Sequence, residues 1–76
     1  MAYTESEKEL IDKMCHALNN NQNMTTEELK AVHDEVVTYA KSLGGRCGAF
    51  LWEIGFEPFS MIVAGREYEE AGAAKK

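Results

Sequence analysis

The stretch RCGAFLWEIGFEPFSMIVAGREY, from Arg46 to Tyr68, is the most apolar part of the chain and holds most of its aromatic residues, Phe50, Trp52, Phe56, Phe59 and Tyr68. Two structures compete for it. As helix, Cys47, Phe50, Leu51 and Ile54 fall at i, i+3, i+4 and i+7 on one face of a short segment. Gly55 would cap that segment. Glu57 would be held extended by the proline after it, and Pro58 would open a further helix at its preferred first position. Phe59, Ile62, Val63 and Arg66 would then share a face, with Glu67, Glu69 and Glu70 beyond. As strand, Phe50, Trp52 and Ile54 would pair with Phe59, Met61 and Val63 across a Gly55–Pro58 loop. Alternation and the content of aromatic and branched residues allow this.

Helix is preferred on three grounds. The Gly-Phe-Glu-Pro linker lacks the Asn-Gly or Asp-Gly chemistry of a tight hairpin. Leu51 and Ile62 would put apolar groups on the second face of a two-stranded sheet. An isolated hairpin would also leave two free edges. The expected fold is all-α, a small bundle of about four helices with the last two shorter or more irregular. The alternative is α+β, a helical hairpin followed by a β-hairpin.

The residues before this stretch carry much clearer signals. Met24 to Gly45 is a long amphipathic helix with both ends marked. Thr25 and Glu28 form a capping box, and Met24 and Leu29 stand at the two positions of a hydrophobic staple. Leu29, Val32, Val36, Ala40 and Leu43 recur at spacings of three and four. Lys41 suits the negative end of the dipole, and Gly44-Gly45 can take a left-handed C-cap. A first helix starts at Thr4 or Ser6, where two capping boxes overlap, Thr4 with Glu7 and Ser6 with Glu9. Its apolar stripe is Leu10, Ile11, Met14, Cys15 and Leu18, and Glu9 and Lys13 form an i,i+4 pair. The run Asn19 to Asn23 between the two helices is a short loop, which makes them an antiparallel hairpin. The chain reads as one domain, 1–76, with a frayed tail from about residue 71.

A chain of 76 residues has a core that supplies roughly 3–5 kcal/mol, which leaves little room for a deep catalytic pocket. Its composition is that of a folded protein. No apolar run reaches the length of a membrane span, and the first residues lack the apolar core of a secretory leader. A cytoplasmic location is expected, with Cys15 and Cys47 reduced. The formal charge of −5 disfavours nucleic acid as a direct partner and suits a partner with a basic surface.

Chemistry-bearing patterns are few. His16, His33, Cys15 and Cys47 have no zinc-ligand spacing, and the asparagine loop has no carboxylates for calcium. Gly44, Gly45 and Gly48 follow a helix, so they do not form a phosphate loop. No metal, no cofactor and no catalytic residue is assigned, and an enzyme is not expected. Trp52, Phe56 and Phe59, interleaved with Glu53 and Glu57, form an acid-rimmed aromatic group. Such a group suits either protein docking or the core of a small bundle. Of the aromatics, Trp52 is expected to be exposed when the Cys47, Phe50, Leu51, Ile54 stripe faces inward.

Tyr3-Thr4-Glu5, Cys15 and Glu27-Glu28-Leu29 resemble the corresponding features of the acidic immunity proteins that neutralise nuclease colicins. The likeness covers under half of the chain. It implies that a small acidic four-helix protein can inhibit by binding. That family's paired-tyrosine motif is replaced here by Phe50-Leu51-Trp52, so its binding residues are not transferred. The functional expectation is a non-enzymatic, acidic protein-binding module of inhibitor, antitoxin or phage-modulator type. It would cover a site on a larger protein through Trp52, Glu53, Phe56, Glu57 and Phe59, without membrane contact. A self-associating structural subunit, a homodimer, is the alternative.

Overall fold

The computed structural model describes residues 3–74. They form four α-helices and no strand: α1, Glu5–Asn20; α2, Thr26–Lys41; α3, Cys47–Glu53; and α4, Phe56–Ala74. The fold is thus the all-α bundle, and the β-hairpin alternative for 46–64 is excluded. Short 3-10 turns, Asn21–Asn23 and Gly44–Arg46, join α1 to α2 and α2 to α3.

The first two helices start on reciprocal capping boxes. The Glu7 amide donates to Thr4 Oγ1 at 3.1 Å, and the Thr4 amide donates to Glu7 Oε1 at 2.8 Å. Thr25 and Glu28 repeat both bonds at the same lengths. Of the two boxes that overlap at α1, Thr4 with Glu7 is therefore the one used. A further bond accounts for the choice: the Tyr39 hydroxyl on α2 donates to Glu7 Oε2 at 2.7 Å, so both Glu7 oxygens are satisfied. Glu28 is held below the usual carboxylate range by the Thr25 amide and then by the Thr25 hydroxyl.

Cross-helix contacts set the packing directions. Glu7 meets Tyr39 while Lys13 meets Glu35 at 3.0 Å, so α1 and α2 run antiparallel. This contact replaces the expected Glu9–Lys13 pair, because the facing helix offers Lys13 a carboxylate at hydrogen-bond distance. Lys30 lies 3.6 Å from Glu67, and Thr26 Oγ1 donates to Glu70 at 2.6 Å, so α4 runs antiparallel to α2. Arg66 donates to the carbonyls of Asn21 and Met24 at 2.8 and 2.7 Å, which ties α4 to the α1–α2 turn.

The core lies among α1, α2 and α4: Leu10, Met14 and Ala17; Leu29 and Val36; and Phe56, Phe59 and Val63. Met24 packs beside it, as the staple requires. Cys15 is exposed, contrary to its expected place in the stripe. The buried line of α1 is Glu7, Leu10, Met14 and Ala17, and a residue after Met14 is turned about 100° away from it. α3 caps the open end, with Phe50 against Tyr39 and Tyr3 at centroid distances of 5.4 and 6.3 Å.

α4 departs from expectation in three ways. It is 19 residues long and so is the longest helix, held at its far end by the Lys30 and Thr26 contacts. It begins at Phe56, which puts Pro58 at the third position and Glu57 in helix. A proline is tolerated there because the first-turn amides have no intrahelical acceptor to lose. It also continues past residue 71 to Ala74; the last two residues of the expected frayed tail lie outside those described.

Candidate functional site

Two glycines shape the far end of the bundle. Gly44 has φ +63° and Gly55 has φ +74°, in the left-handed region where an L side chain is strained. Gly44 turns the chain out of α2. Gly55 lets it bend by 85° between the segments Gly44–Glu53 and Phe56–Gly72. At this elbow the inner sides of α3 and α4 cannot close on each other. A shallow groove of about 320 Å³ opens there, lined by Gly48, Leu51, Trp52, Phe56, Glu57, Ser60 and Met61.

The five residues expected to dock a partner separate into two sets. Trp52 is 77% exposed on the groove wall, and Glu53 and Glu57 are exposed beside it. Phe59 is fully buried, which removes it from the docking set. Phe56 is 9% exposed and forms the groove floor, with its ring 5.0 Å from His33 and 6.3 Å from Phe59. The cause is helical phase. Phe56, Phe59 and Val63 follow the i, i+3, i+7 line toward α1 and α2, whereas Trp52 is half a turn from Phe50, the residue that α3 buries. Two groove residues escape a reading of the sequence by core stripe alone, Met61, 67% exposed, and half-buried Ser60. Their signal was their position off the Phe59–Val63 line.

Other chemistry-bearing side chains do not converge. Both cysteines are free thiols. The His16 ring faces the Asn20 amide at 3.3 Å, and His33 Nδ1 lies 3.4 Å from Asp34. Among the described residues no three His, Cys, Asp or Glu side chains are grouped so that they could hold a metal ion. Glu7 has its carboxyl held below the usual range, first by the Thr4 amide and then by the Tyr39 hydroxyl. The same Glu7–Tyr39 bond pushes the phenol up. Both groups are spent on joining α1 to α2, away from the groove.

No single helix among the described residues is long and apolar enough to cross a membrane. Comparison with protein-family models, curated proteins and solved structures finds no match for this chain.

Proposed function

We propose that the chain is a non-enzymatic protein-binding module that covers a site on a larger partner through the α3–α4 elbow. The observation that carries this is Trp52, a large apolar side chain left 77% exposed at the edge of an apolar groove. Tryptophan is among the residues most enriched at interface hot spots. Burying a side chain of this size removes about 150–250 Å² of apolar surface from water, worth about 4 kcal/mol before the losses of association are counted. Glu53 and Glu57 rim the anchor and would steer a basic surface onto it. A protein this small inhibits or modulates most simply by occlusion.

The test places a photo-cross-linking residue at position 52, in cells that make the protein naturally, and the same residue at Asp12 on α1. Position 52 is expected to trap one protein in stoichiometric amount, and position 12 is expected to trap none. Equal trapping at both positions, or none at 52, would refute the proposal.

A further inference from the structure

α4 differs in kind from the two helices before it. α1 and α2 each have one apolar stripe and one polar face, whereas the first three turns of α4 are apolar nearly all round. Phe56, Phe59 and Val63 face the bundle. On the opposite side run Met61, Gly65, Tyr68 and Gly72, at i, i+4, i+7 and i+11, and all four are exposed. Met61 is 67% exposed and Tyr68 is 81% exposed. This is the spacing of a seam that packs along another helix. A helix apolar on two sides is ordinarily covered on both.

The glycines add an independent observation. Gly65 and Gly72 lie within α4 at ordinary negative φ, and a Cβ at either would meet nothing within 4 Å. The isolated bundle makes no use of glycine there, and glycine inside a helix is destabilising relative to alanine. Two large residues alternating with two glycines form knobs and notches, which let a second backbone approach closely.

Charge selects the occupant. α3 and α4 carry five carboxylates, Glu53, Glu57, Glu67, Glu69 and Glu70, and one cation, Arg66. Arg66 is turned inward onto the Asn21 and Met24 carbonyls. Glu67 and Glu70 are engaged by Lys30 and Thr26, and among the described residues no ion pair holds Glu53, Glu57 or Glu69. A second copy laid parallel would set acid against acid. A helix flanked by lysine or arginine would meet complementary charge at Glu53 and Glu57 near the groove and at Glu69 toward the other end of the seam.

We propose that the outward stripe of α4, continuous with the Trp52 groove through Met61, seats an amphipathic partner helix whose apolar ridge is flanked by basic residues. This rests on the protein-binding role proposed above and names the chemistry of the partner. Met61 to Gly72 spans about 16 Å, so roughly 11 partner residues are engaged along α4.

The test selects a display library of random peptides, each about 18 residues or five helical turns long, on the full chain. Enriched peptides are then titrated against the parent, Gly65→Leu, Gly65→Ala and Trp52→Ala. Gly65→Leu fills the notch from open space, so its fold is retained, as a thermal melt by circular dichroism will verify. The expected result is a basic amphipathic pattern among the enriched peptides, helix formation on binding, and affinity weakened about tenfold or more by Gly65→Leu. Gly65→Ala should have a smaller effect on binding and a raised unfolding temperature. Acidic or extended peptides, an empty selection, or indifference to Gly65→Leu would overturn the inference. So would a homodimer in sedimentation that Gly65→Leu disperses, or equal Gly65-dependent binding to phosphatidylcholine vesicles. Peptides that need Trp52 but ignore Gly65 would overturn the helix seat and leave the binding role standing. Peptides indifferent to both changes would remove both proposals.

Discussion

The separation of Trp52 from Phe59 is best tested by truncating each to alanine, because the two side chains are comparable in size and opposite in placement. Phe59 has no exposed surface and packs against Phe56 and His33, with ring centroids at 6.3 and 6.4 Å. Losing its ring forfeits about 2–3 kcal/mol of transfer free energy. The cavity left between α2 and α4 raises the loss to about 3–5 kcal/mol. A domain of this size has a net stability of roughly 3–5 kcal/mol, so Phe59→Ala should be largely unfolded without denaturant. Phe59→Leu should lose about 1–1.5 kcal/mol and still give a measurable midpoint. Trp52 makes so little contact with the bundle that Trp52→Ala should stay within about 0.5 kcal/mol of the parent. Urea titration followed by far-ultraviolet circular dichroism gives all three values on one scale. A loss above about 1.5 kcal/mol for Trp52→Ala, or an unchanged midpoint for Phe59→Ala, would refute this partition of the aromatics. The contrast also governs how binding data are read: loss of binding in Phe59→Ala reports unfolding, and in Trp52→Ala it reports a lost contact.

Gly55→Ala places a side chain at φ +74° and should lose about 1–2 kcal/mol in the same titration, although the space around Gly55 is open. Arg66→Met keeps the apolar stem but removes two bonds to the Asn21 and Met24 carbonyls; a loss of about 2 kcal/mol is expected, with faster amide exchange in the α1–α2 turn. Trp52 emission should be red-shifted, quenchable by neutral acrylamide and constant on dilution, and a blue, protected signal would contradict its exposure. The pH profile of stability should be limited at the acid end by Glu7 together with Glu28, and at the alkaline end by Tyr39. Glu7 has a lowered value in the fold, so its contribution is present above the ordinary carboxylate range and lost as pH falls through the lowered value. Tyr39 has a raised value, so its contribution is present below the ordinary phenol range and lost as pH rises through the raised value. Glu7→Gln should flatten the acid limb and Tyr39→Phe the alkaline limb; a profile indifferent to both would disprove the linkage.

The helical hairpin was legible because its signals are local. A capping box, a staple and a stripe lie within a few residues of one another, and each is satisfied by the helix it belongs to. Which of the two boxes would start α1 was not local. It depends on Tyr39, 32 residues beyond Glu7, whose hydroxyl reaches one glutamate and not the other. Cys15 was misplaced for a related reason. A stripe drawn through Ile11, Cys15 and Leu18 is as periodic as one through Leu10, Met14 and Ala17, and only the facing helices decide which is buried. The length of α4 likewise rests on Lys30 and Thr26 of α2, which no local signal contains.

The ambiguity of residues 46–68 and their proposed role have one physical origin. Periodicity separates helix from strand only where one face is polar. α4 lacks that contrast, because the side facing water carries Met61, Gly65 and Gly72 where α2 carries Lys30, Asp34 and Lys41. In a chain with a core this small, apolar groups left outside contribute nothing to folding while glycine inside a helix weakens it. A sequence shaped for monomer stability alone would place alanine at position 65 and a charged residue at 68. That it places glycine and tyrosine there, with an exposed tryptophan at the elbow, is what the proposed partner surface would account for.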